Sequence, residues 1–116
     1  MPQFVLLLHD AGNFDPNMSP DQMQAIIQRY VAWRGKVQQN GRAVSGHKLH
    51  DGQGRVIRGS AASMKVTDGP YAEAREVIGG LFVIDGTSYE EVVDLCKDCP
   101  HLEFGSIEIR EVEPTA

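Results

Sequence analysis

No stretch of this sequence is long and apolar enough to cross a membrane as a helix. The longest uninterrupted apolar run is Phe4–Leu8, against the roughly 20 residues that a helical span needs. No basic segment or small-residue cleavage site accompanies that run, so no signal peptide is expected and the simplest address is the cytoplasm. Basic residues are also scarce, with 11 Lys and Arg against 16 Asp and Glu and a net charge of −5. They form no cluster, and a nucleic-acid binder needs a basic face, so nucleic acid is not an expected partner.

Cysteine is nearly absent. The two present, Cys96 and Cys99, have CxxC spacing. A redox pair sits at a helix N-terminus, where the dipole lowers the thiolate pKa. These two fall instead in the last turn of a predicted helix, just before Pro100, where the dipole disfavours a thiolate. A reducing compartment also disfavours a disulfide. They read as small core thiols. Other signatures are missing as well. Gly52, Gly54 and Gly59 lack phosphate-loop spacing and lie in a hairpin rather than between strand and helix. Ser60 and Ser63 have no nucleophile-elbow context. No tight HxH or HxxxH spacing supports a metal site built from His47, His101 and Asp68. No cofactor or metal is expected.

What is present is an ordinary globular composition, 41% hydrophobic and 23% charged, in a chain expected to form one domain over residues 1–116. Gln3 to Leu8 has strand length and His9 to Asn17 is loop-rich. Ser19 can cap a helix, Pro20 suits its first position, Gln22 completes a capping box, and Asn40-Gly41 stops it. Met23, Ile26, Ile27, Tyr30, Val31 and Val37 recur on one face of that helix. Arg42 to Leu49 reads as a second strand. Val56-Ile57 and Ala62 to Val66 are short, weaker strands, and Asp68-Gly69-Pro70-Tyr71 is a turn leading to one helical turn at Ala72–Glu76. Leu81 to Ile84 is a third main strand. Thr87 or Ser88 caps a second helix striped by Tyr89, Val92, Val93, Cys96 and Cys99 and ended by Pro100. Ser106 to Val112 alternates as a half-buried strand.

This order is the α+β, ferredoxin-like βαββαβ plan with a hairpin and turn insertion, strands in the order 4-1-3-2. The first and third main strands are central, and both are apolar on both faces. Right-handed crossovers place both helices on one face of the sheet. The apolar set on the other face then needs a cover, which predicts a homodimer with the two sheets face to face. The insertion is the alternative cover.

The stretch Val66-Thr67-Asp68-Gly69-Pro70-Tyr71-Ala72-Glu73, followed by Gly79-Gly80-Leu81-Phe82-Val83-Ile84, resembles the YCII-related family. It is most similar to the branch named for an Asp-Gly-Pro-Phe motif, with Tyr71 in the last place. Phe4–His9, Met18-Ser19-Pro20 and Cys99–Gly105 resemble the same branch. The resemblance implies a dimeric α+β barrel. It implies lyase-like action on small aromatic substrates through a His–Asp pair in a few relatives, and an association of others with sigma factors. In the better-known relatives the pocket histidine lies in the first helix. Here Ser19–Asn40 contains none.

The topology predicts that His9, His47, His50, His101 and the Asp68–Tyr71 turn gather at one end of the sheet, a normal place for a ligand pocket. Asp68 reads either as turn chemistry or as a general base, or as the residue that orients a histidine base. His101 and His47 are the candidate acid/base imidazoles. His9, Tyr71 and Glu73 are candidate substrate contacts. Tyr71 also reads as a packed aromatic and Glu73 as a helix-starting residue. The expected function is small-molecule binding with lyase- or isomerase-like acid/base activity. The alternative is a non-catalytic ligand-binding or regulatory module, one version of which is linked to a sigma factor.

Overall fold

The capping box is formed as expected: Ser19 Oγ accepts from the Gln22 N–H, and the Gln22 side chain accepts from the Ser19 N–H. It starts helix α1, Pro20–Gln39, in the computed structural model, which describes residues 1–12, 15–42, 44–69 and 77–115. Strand β1, Gln3–Asp10, precedes the helix, and β2, Val44–Lys48, follows it. Next come β3, Arg55–Arg58, and β4, Lys65–Asp68, then β5, Val77–Asp85. Helix α2, Tyr89–Cys96, a 3₁₀ turn at Pro100–Glu103 and β6, Gly105–Glu111, complete the chain. Ser88 caps α2 by accepting from the Glu91 N–H.

The main sheet has the order β2-β5-β1-β6, all antiparallel. Counting main strands only, this is the expected 4-1-3-2 arrangement. Both helices lie on the face that carries Phe4, Leu6, Leu8, Phe82 and Ile84, all buried. Trp33 of α1 meets Phe82 edge-on at 5.2 Å, and Tyr89 of α2 meets Phe4 at 5.1 Å. Each buried side chain of this size contributes roughly 1.5–3 kcal/mol. On the opposite face Val5, Leu7, Leu81 and Val83 are half-buried with no helix above them. The two central strands are therefore apolar on both sides, as the sequence implies.

Three details differ from the sequence reading. The buried side of α1 is Trp33 and Val37, with Ile26 and Tyr30 partly covered, while Met23, Ile27 and Val31 are exposed. The sheet touches only a narrow line along the helix, so half of the apolar stripe stays outside. Val93 and Tyr89 of the α2 stripe are likewise exposed. Cys99 lies beyond α2, at the start of the 3₁₀ turn, because Pro100 lacks the N–H that would continue the helix. Both thiols are free and buried, as core residues. Finally, Asp68 ends a strand rather than opening the turn, since β3 and β4 pair as a separate hairpin with Arg55 opposite Asp68. The helical turn expected at Ala72–Glu76 lies outside the described residues.

Candidate functional site

The polar cluster forms where β1 leaves the sheet. Beyond Leu8 the pairing of β1 with β5 slips: Leu8 faces Gly80 but His9 faces Ile78, so Gly79 is an extra residue, a β-bulge. The bulge aims the Asp10 carboxyl over Gly79, where a Cβ would stand 2.0 Å from Asp10 Oδ2. On the other side, β6 approaches so closely that a Cβ on Gly105 would lie 1.7 Å from the His9 carbonyl oxygen. Glycine at both places is a condition of this geometry.

His101 enters from the 3₁₀ turn and is only 3% exposed. Its Nε2 lies 2.9 Å from the His9 carbonyl oxygen and its Nδ1 lies 3.0 Å from the Tyr30 hydroxyl. A carbonyl only accepts, so Nε2 carries a proton. In the neutral ring Nδ1 is then bare and accepts from Tyr30 O–H. Tyr30 projects from α1, and burial pushes its phenol up to about 12. It stays a donor through the physiological range.

Asp10 Oδ1 lies 3.8 Å from His101 Nε2, outside hydrogen-bond range. Among the described residues no donor hydrogen-bonds its carboxyl, which is 29% exposed. Burial raises its pKa above the ordinary value, while the nearby His101, Lys48 and His9 pull it down and Asp51 pushes it up. This is a partly buried carboxylate with a histidine N–H beside it.

The other candidates fall in several places. His9 points to the helix-free face, where Nε2 meets Glu108 Oε1 at 2.9 Å. Hydrogen bonding from His9 holds the Glu108 carboxyl below its ordinary range. His47 stands exposed on that same face, opposite Leu81. His50 is exposed beyond β2. Asp68 is on the hairpin, its side chain 93% exposed, with Arg55 at 3.5 Å. Within one chain, then, the expected Asp68–histidine pair is not formed, because the hairpin holds Asp68 against Arg55. Tyr71 and Glu73 lie outside the described residues. Asp10 and Tyr30 are the residues that sequence reasoning missed. Asp10 was signalled only by its place at the end of a central strand, and Tyr30 only by a hydroxyl on a helical apolar stripe.

No group of three His, Cys, Asp or Glu among the described residues is arranged to hold a metal ion. A shallow groove of about 300 Å³ is lined by Arg29, Trp33, Lys36, Asp98 and Pro100 among others. Its cations are already paired, Arg29 with Glu103 and Lys36 with Asp98. Among the described residues no helix is long and apolar enough to cross a membrane.

An antiparallel sheet with two helices on one face, compatible with a ferredoxin-like fold, and a polar cluster at one sheet end define a small α+β domain. The chain belongs to the YCII-related domain family, whose model matches residues 3–116. An uncharacterized protein of Rhizobium meliloti (strain 1021) is 38% identical over 57 residues. That match covers 47% of this chain and 46% of the relative, about half the length of each. The crystal structure of At3g17210 from Arabidopsis thaliana aligns over 100% of this chain and 97% of that one. Its TM-score is 0.46 and its identity 15%.

Proposed function

We propose that the chain is a small-molecule-binding domain that works as a homodimer and carries an acid/base site at the Asp10 end of its sheet. The observation that carries this reading is the Asp10 carboxyl, poised over Gly79 with no hydrogen-bond donor among the described residues and 3.8 Å from the His101 imidazole. A carboxylate with a raised pKa is a stronger base than one in water, and a general base contributes typically 10²–10⁴-fold. Asp10 would take a proton from a carbon or hydroxyl of the substrate, as in a lyase or isomerase. His101 would hold the site in register through its Nε2–H, with Tyr30 setting the tautomer. The segment containing Tyr71 and Glu73 rejoins the sheet at Val77, the cross-strand partner of Asp10. This reading assigns substrate contacts to that segment. His9 and His47 share the helix-free face, which in the dimer stacks on its copy as an α+β barrel, burying Val5, Leu7, Leu81 and Val83.

A non-catalytic ligand-binding role is the second reading. It is favoured by the fact that both His101 nitrogens are already bonded within the protein. The test is turnover of a panel of small aromatic and lactone-type compounds by the wild-type chain and by Asp10→Asn. A loss of about 100-fold or more in the variant supports the catalytic reading. Equal turnover removes Asp10 from the chemistry. Native mass spectrometry of the freshly purified protein showing a retained, chemically unchanged metabolite, with no turnover, selects the binding role. Light scattering checks the dimer, and Leu81→Asp is expected to yield monomers.

A further inference from the structure

The β3–β4 hairpin forms a two-stranded sheet of its own, and among the described residues neither strand packs as a layer on a helix or on the main sheet. All four residues of β4 are exposed. Ile57 and Val66 face each other across the strands and are 62% and 52% exposed. Met64, beside the hairpin tip, is exposed as well. An isolated two-stranded hairpin is at best marginally stable in water. The chain as a whole is correspondingly spread out. Its radius of gyration is 16.3 Å, with extents of 48 × 47 × 19 Å, where a compact chain of this length has roughly 13 Å.

The charge is divided the same way. Residues 55–68 carry Arg55, Arg58 and Lys65 against the single acid Asp68. The remaining residues hold eight Lys and Arg against fifteen Asp and Glu. The hairpin is thus a basic, apolar-tipped arm on an acidic body. A second copy offers the same acidic body to the arm. The arm also leaves the main sheet between β2 and β5, the two strands that carry His47, Leu81 and Val83 on the helix-free face.

We infer that the β3–β4 hairpin is an arm that docks on the second copy of this chain, with Ile57 and Val66 against the partner and Lys65 against the partner's acidic body. The inference rests on the homodimer reading and adds a second contact to the sheet-to-sheet seam. Each subunit then covers one edge of the other, and like charge keeps the two basic arms from pairing with each other.

The test is hydrogen exchange on the full chain, followed from concentrated dimer to dilute monomer, alongside sedimentation of variants. Amides of residues 55–58 and 65–68 are expected to be protected in the dimer and to lose that protection on dilution. Ile57→Asp with Val66→Asp is expected to raise the dimer Kd by about tenfold or more. Lys65→Glu, a surface change that leaves the hairpin's apolar pair intact, is expected to raise it several-fold, by roughly less at high salt, where charge is screened. Hairpin amides that exchange equally fast in dimer and monomer overturn the arm, as does an unchanged Kd in both variants. If Leu81→Asp still breaks that dimer, the homodimer reading stands alone. A chain that remains monomeric at every concentration overturns both.

Discussion

The Tyr30 hydroxyl lies 3.0 Å from Nδ1 of His101, a residue 71 positions away and almost wholly buried. That bond, with the His9 carbonyl on the other nitrogen, fixes the ring's orientation and its neutral tautomer. Tyr30→Phe leaves a buried acceptor without a donor. The expected loss is ~1–2 kcal/mol, a fall in Tm of about 4–10 °C for a domain of this size. Calorimetry measures it. Imidazole nitrogen shifts should also report a mixed tautomer in the variant, and an unaltered Tm and spectrum would show that the bond contributes nothing.

Asp10 makes the protein's stability depend on pH in a direction opposite to that of most carboxylates. Burial raises its folded pKa above the ordinary 3.8, so the folded state holds the proton more tightly than the unfolded chain. The stability this provides is complete below about pH 3.8 and is lost as pH rises through the folded value. Above that, the folded chain carries a partly desolvated charge. Asp10→Asn removes it and is expected to raise Tm at pH 7 by about 1–3 °C, with a smaller difference at acid pH. Melting curves of both proteins across the acid range decide this. A Tm gap that widens toward low pH would contradict the assignment.

Gly79 and Gly105 flank the same site but should respond differently to a methyl group. At Gly79 the obstacle is the end of the Asp10 side chain, which can swing away. Gly79→Ala is expected to fold with a Tm within a few degrees of wild type while losing the Asp10-dependent slope with pH. At Gly105 the obstacle is the His9 backbone, so β1 and β6 must separate. Gly105→Ala is expected to lose roughly 2 kcal/mol or more, read from urea midpoints. Equal effects of the two changes would mean that the bulge does not position Asp10.

Burial pushes the Cys96 thiol up to about 12 and raises Cys99 as well. Thiolate is the reactive form, so native protein should not react with an aromatic disulfide reagent over minutes at pH 8, and two thiols should appear on denaturation. Rapid labelling of either cysteine in the native state would show that the core opens far more readily than its packing implies.

Much of this architecture was legible in the chain. Ser19, Pro20 and Gln22 announce the start of α1 because capping is chemistry among neighbours. Phe4–Leu8 and Leu81–Ile84 announce central strands because apolar residues on both faces exclude an edge position. The exposure of Met23, Ile27 and Val31 was not legible. An apolar stripe shows which side of a helix prefers burial, not how much of it the sheet can reach.

The order of elements, their caps, the core thiols and the apolar character of both sheet faces were settled by the sequence itself, since each depends on residues a few positions apart. Tertiary structure decided the site. Tyr30, His101 and the His9 carbonyl meet across separations of 71 and 92 residues, and Asp10 is aimed by a one-residue slip in strand pairing. Such contacts depend on register and on close backbone approach, which no local pattern encodes. The same holds for Asp68, which the pairing of β3 with β4 sets beside Arg55 rather than a histidine.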